Sequence, residues 1–127
     1  MSVSRVHGSA RDVGLAAADL SDSLFLFCVR NSSGLIALAG AGAEVDGVVY
    51  ETNTAGRPVT YAMAGTGNIV KVIAGATVAT GAKVMSDSAG KAITATATNA
   101  AVGKARKGGA SGEVIEIVFN NVADVTA

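Results

Sequence analysis

Few residues in this chain could do chemistry. His7 is the single histidine, and spacing gives it no carboxylate or hydroxyl partner, so neither a catalytic triad nor a two-histidine metal site is expected. Cys28 is the single cysteine. It cannot close an internal disulfide, and inside "LFLFCVR" it reads as a small buried hydrophobe rather than a reactive thiol. The acidic residues stand singly, and nothing marks two of them as a carboxylate pair; a hydrolase would have to rely on groups such as Asp87 or Glu116. Glycine-rich stretches fail on context. "GTGNIV" lacks the third glycine of a dinucleotide fingerprint and precedes a strand, not a helix. "SAGKA" and "VGKAR" lack the spaced first glycine and the Ser/Thr of a P-loop. No catalytic, cofactor-binding or metal-binding residue is expected.

The segment "VKVIAGATVATGAKVMSDSAGKAIT" (70–94) offers one more chemistry. Its "V-x-x-G-x-x-V" corner resembles that of biotinyl and lipoyl carrier domains, or of a small-ligand β module. The lysines available to such a carrier are Lys83 in "GAKVM" and Lys91 in "AGKAI", and neither stands in a Met-Lys-Met setting. The alternative work for Gly75, Gly81 and Gly90 is to turn corners: Gly75 and Gly81 on either side of Val78, and Gly90 at positive φ in the turn Asp87–Lys91.

These positions need a scaffold, and 127 residues suffice for one domain. Ten Lys/Arg balance ten Asp/Glu, so the field that gathers nucleic acid is not expected. No apolar run is long enough to cross a membrane as a helix, and the N-terminus lacks the apolar stretch of a signal peptide; synthesis and residence in the cytoplasm are expected. Half of the residues are hydrophobic, yet there are five Phe/Tyr, no Trp, 25 alanines and 16 glycines, which implies a small-residue core. Zero net charge with high apolar content implies a surface covered by a partner, and hence self-association or assembly.

Residues 1–22 show no periodicity and read as an irregular N-terminal arm that orders against a surface. Residues 23–127 read as an all-β domain, a small barrel or sandwich of short strands. "LFLFCVRN" and "LIALAG" flank the turn "NSSG"; "GVVYET" and "RPVTYAMAG" flank "NTAG", with Pro58 opening its strand. "NIVKVIAG" turns Val70 and Val72 to one face and Ile69, Lys71 and Ile73 to the other. "KVMS", "AITATATN" and "AAVGKA" follow, then the loop "RKGGASG" and the strand "EVIEIVF". In "LFLFCVR", Leu24, Leu26 and Cys28 would oppose Phe25, Phe27 and Val29. Both faces are apolar there and nearly so in "EVIEIVF", so a second face must meet the arm, another layer or another subunit.

In order, Gly47-Val48, "G-R-P-V" (56–59), "V-K-V-I-A-G-A-T-V-A-T-G-A-K-V" (70–84), "D-S-A-G-K" (87–91), "V-G-K-A" (102–105) and "G-E-V-I-E" (112–116) resemble the small decoration, or cement, proteins of tailed-bacteriophage heads. The likeness covers about residues 24–119, and the arm departs from it. It implies a β-barrel or sandwich on the outside of the mature head that binds the major capsid protein, as a homotrimer, and stabilises the shell without catalysis. The candidates for capsid or subunit contact are then Val3, Arg5, His7, Arg11, Val13 and Leu15 of the arm, with Phe25 and Phe27. Deletion of residues 2–20 is expected to weaken head binding more than it lowers stability.

Overall fold

The computed structural model describes residues 11–65, 67–96 and 101–119. They form ten strands: β1 (Arg11–Leu15), β2 (Phe27–Arg30), β3 (Ile36–Leu38), β4 (Gly47–Glu51), β5 (Pro58–Met63), β6 (Asn68–Ile73), β7 (Lys83–Ser86), β8 (Ala92–Thr94), β9 (Gly103–Lys107) and β10 (Val114–Phe119). They build two antiparallel five-stranded sheets in a sandwich-like arrangement, ordered β1-β5-β4-β2-β3 and β6-β10-β9-β7-β8. The all-β class holds, but the barrel alternative does not. Neither sheet closes, and only an isolated parallel bridge in each, Ala16 to Ile36 and Ala74 to Ala92, brings the first strand's end toward the third strand.

The second sheet repeats the first. Cys28 pairs with Leu38 and Val84 with Thr94, 56 residues on; Cys28 with Gly47 becomes Val84 with Gly103; Val48 with Ala62 becomes Lys104 with Val118. Even the irregularity recurs, with Tyr50 and Arg106 as the extra residues between Val49 and Glu51 and between Ala105 and Lys107. Turn hydrogen bonds follow suit: Gly56 N–H to Ala16 O is matched by Gly112 N–H to Ala74 O. The sequence reading did not find this repeat, because few registered positions share a residue. Its visible trace is the glycine spacing, since Gly34, Gly47 and Gly56 return as Gly90, Gly103 and Gly112. Each pair has a cause. Gly34 and Gly90 hold φ of 79° and 80°, and Gly56 and Gly112 hold 77° and 87°. At Gly47 and Gly103 a Cβ would strike the carbonyl of Ala62 on β5 and of Val118 on β10, the partners of the next residues Val48 and Lys104.

The first sheet is buried on both faces. Phe27, Val48 and Ala62 join Val70, Val72, Val84, Ile115, Ile117 and Phe119 in a core that spans both sheets. The alternate residues Cys28, Ile36, Val49, Val59 and Tyr61 form a second core with Ala16 and Leu20. The arm therefore covers the second apolar face of its own chain. Strand periodicity of two makes this possible, since neighbours along one strand enter different cores. In β10 only Ile115, Ile117 and Phe119 are buried, while Val114 is exposed.

Three expectations need correction. Residues 11–22 are not an irregular arm: Arg11–Leu15 pair with β5, and Ala16 and Leu20 are buried. The strand expected from Leu24 begins only at Phe27, because Phe25 takes a positive φ of 63°. The basic loop "RKGGASG" contributes Arg106 and Lys107 to β9, so only its glycine-rich remainder turns the corner.

Candidate interaction surface

Among the described residues no group of His, Cys, Asp and Glu could hold a metal ion. Cys28 has no exposed surface, and burial, with the Asp46 carboxylate nearby, pushes its thiol up to about 12. A thiolate is then absent near neutral pH, so the side chain packs and does not react. Lys83 lies on β7 opposite Lys104 of β9. Lys91 sits at the base of its turn, where its N–H donates to Asp87 Oδ1 (2.9 Å) and its carbonyl accepts from Asp87 N (2.8 Å). Neither occupies the tip of a hairpin, where a carrier presents its lysine. Asp87 Oδ1 also accepts from Ala89 N (2.8 Å), the part played by Asn31 Oδ1 toward Ser33 and Leu35 in the first repeat. Glu116 pairs with Arg106 at 3.3 Å. Both carboxylates thus have structural partners.

The turn glycines act in two ways. Gly81 and Gly90 hold φ of 90° and 80°. Gly75 has no such conformation; a Cβ there would collide with the Asp87 carboxylate. Val78 and Val84, on either side of Gly81, are buried.

What the surface offers is apolar. Val13 (55% exposed) and Leu15 (47%) lie on β1, facing Thr60 and Pro58; Ile69 (49%) and Val114 (47%) lie on β6 and β10, each beside the half-buried Val118 or Ile73. In the repeat these are the same place, the outer face of the first and fifth strands. The alternation of β6 predicted this side for Ile69, whereas "RDVGL" carries no alternation that would have announced a strand. Val13 and Leu15 are thus exposed, as a contact candidate must be. Arg11 is exposed and places its guanidinium over the Tyr50 ring at 5.7 Å. Phe27 cannot meet a partner, because it is wholly buried and 6.1 Å from Phe119, ring centre to ring centre. Phe25 is half-buried and packs edge-on against Tyr50 at 5.5 Å. Val3, Arg5 and His7 lie outside the described residues.

A polar cluster holds β1 in place. Arg30 Nη2 donates to Asp12 Oδ2 (3.3 Å), Val13 O (3.2 Å) and Tyr61 Oη (3.1 Å), and Nη1 donates to Gly34 O (2.8 Å). Tyr61 Oη donates to Asp12 Oδ2 at 3.1 Å. The Val13 N–H, then Tyr61 and Arg30, hold the Asp12 carboxyl below its ordinary value against a smaller desolvation. An ion pair this exposed adds little stability by itself, but the hydrogen bonds around it tie β1 to β2, β5 and the 31–34 turn.

A doubled, all-β domain with apolar outer strands is the class these features define. One solved structure it resembles is the crystal structure of the head fiber gp8.5 N base of bacteriophage phi29, with a TM-score of 0.69 and 17% identity, over 86% of this chain and 92% of that one. At that identity the likeness is one of fold. No protein-family model matches the chain, and no curated protein matches it.

Proposed function

We propose that this chain is a bacteriophage head-associated structural protein, and more narrowly a decoration protein that binds the major capsid protein on the outside of the mature head as a homotrimer. The fold likeness to a phage head-fiber base, which spans nearly the whole of both chains, carries this reading. The ordered glycine and valine motifs that resemble those of head-decoration proteins support it, as do the exposed apolar faces of β1 and β6/β10. The action is mechanical. A protein that binds only the expanded shell stabilises that state by mass action and slows its rupture; several copies held together gain avidity.

The test is sedimentation of purified protein with expanded, undecorated heads. Saturable co-sedimentation at about micromolar concentration, absent with unexpanded shells, is expected. Recovery of all the protein in the supernatant overturns the reading.

A further inference from the structure

The outer face of β6 and β10 carries an ordered pattern of apolar and charged side chains. On β6, Val70 and Val72 are buried, so strand alternation turns Ile69, Lys71 and Ile73 outward; on β10, Ile115, Ile117 and Phe119 are buried, and Val114, Glu116 and Val118 turn outward. Register sets these six side chains in three rungs, one residue from each strand: Ile69 with Val118, Lys71 with Glu116, and Ile73 with Val114. Ile69 and Val114, at opposite corners, are the exposed members of the two apolar rungs. An acid–base rung thus lies between two apolar ones. Lys71 makes no ion pair among the described residues, because its cross-strand partner Glu116 turns its carboxylate to Arg106 of β9 at 3.3 Å. The outer face of β1 and β5 is apolar too, but its rungs, Arg11 with Ala62, Val13 with Thr60 and Leu15 with Pro58, include no acid–base pair.

The order apolar, charged, apolar is complementary to itself. When two copies face each other across a two-fold axis that lies between the sheets and nearly parallel to the strands, each β6 lies over the other copy's β10. Ile69 then meets Val118, Ile73 meets Val114 and Lys71 meets Glu116, and every contact is made twice. Facing sheets keep their strand directions within about 30° of each other, which this axis permits. An axis across the strands would instead set Lys71 on Lys71 and Glu116 on Glu116, a like-charge arrangement that is disfavoured. Charge therefore selects one of the two ways of bringing the faces together.

We infer that the outer face of β6 and β10 binds a second copy of this chain in this isologous, two-fold manner. Six residues from each copy are far fewer than the roughly 20–30 of a standard interface. The pair is accordingly weak, with a Kd of about 10–100 μM, and forms where copies are concentrated. A two-fold contact closes on itself and builds no three-membered ring, so it is additional to the homotrimer proposed above. It needs no capsid: failure of head binding leaves it intact, and its failure leaves the head-associated reading intact.

Sedimentation equilibrium on the full chain tests this. The wild type should associate reversibly by pairing, from monomer to dimer, or from trimer to hexamer where a three-fold contact also holds. Lys71→Glu makes the central rung wholly acidic, and Glu116→Lys makes it wholly basic. Each variant, with wild-type circular dichroism, should pair with itself at least about tenfold more weakly, because like charges then meet twice. Mixed in equal amounts, the two should pair with each other to within about threefold of the wild type, since an acidic rung meets a basic one. Ile69→Ser with Val114→Ser leaves the Arg106 ion pair untouched and should weaken pairing at least about tenfold as well. Three results overturn the inference: a wild type with no pairing step up to about 300 μM, a folded Lys71→Glu or Ile69→Ser/Val114→Ser chain that pairs like the wild type, or folded charge variants that fail to pair with each other.

Discussion

Phe25 holds a φ of 63°, a conformation that costs an L-residue about 1–2 kcal/mol. Its counterpart in the second repeat is Gly81, which adopts the same region without that cost. The edge-on contact of Phe25 with Tyr50 offsets the strain, since such ring pairs contribute about 0.5–1.5 kcal/mol beyond their buried area. The two sites show how one backbone shape is reached by two residue types. They also fix the expected cost of substitution. Around Gly81 a Cβ would meet nothing within 4 Å, so Gly81→Ala should lower stability by about 1 kcal/mol through backbone strain alone. At Gly90 the Cβ would also stand 2.9 Å from the Phe27 carbonyl, which is backbone and cannot swing away. Gly90→Ala should therefore cost at least about twice as much, and urea unfolding of the two variants checks the order. The turn residues were legible in the sequence because "NSSG" and "DSAGK" have a local mechanism: Asn31 or Asp87 bonding its own loop, with glycine at positive φ. Phe25 was not legible, because its conformation is imposed by the ring packing and by hydrogen bonds to Val49 and Ile73.

At the scale of elements, the main difference between sequence and structure is β1. "RDVGL" shows no alternation because four of its five residues are exposed and the half-buried one is glycine. A Cβ on Gly14 would meet Ile36 Cγ1 at 2.7 Å, so the Ile36 side chain occupies the space that an inward β1 side chain would take. The hydrophobic signal for this position thus sits on β3, more than twenty residues away. Beyond β1, Ala16 and Leu20 bury against Cys28, Val49, Val59 and Tyr61, and Leu20 N–H bonds Asn53 O at 3.0 Å. The segment to residue 20 is therefore structural. Deletion through residue 20 should cost at least about 3 kcal/mol more stability than deletion through residue 10, since removing one buried leucine side chain alone costs about 2–5 kcal/mol. Thermal unfolding of the two truncated chains measures the difference. Equal melting temperatures would show that β1 and Leu20 carry no weight. The expectation that loss of residues 2–20 weakens head binding more than it lowers stability must therefore be weighed against a substantial stability cost.

For the whole molecule, the arrangement of the cores decides cooperativity. The first sheet keeps a core of its own on the side covered by residues 16–20, while its other face completes the core of the second sheet through Phe27, Val48 and Ala62. A fragment of residues 67–119 would expose Val70, Val72, Ile117 and Phe119 where those three side chains sat, and at that length little other surface is available for burial. It should be unfolded in isolation, with random-coil circular dichroism and collapsed amide dispersion, and the intact chain should unfold in one transition. A dispersed amide spectrum from the fragment would show two independent units.

The sequence alone determined the β class, most strand positions, the turn glycines and the burial of Cys28, because each of these depends on neighbours within a few residues: alternation, turn chemistry, the size of a side chain. It also required that a second apolar face be covered. Only the tertiary structure decided what covers it, that the sheets stay open, and that the chain is one unit used twice. A repeat with few shared residues leaves its mark in register and hydrogen bonding, where pairs lie tens of residues apart. Those are long-range relations that no local pattern contains.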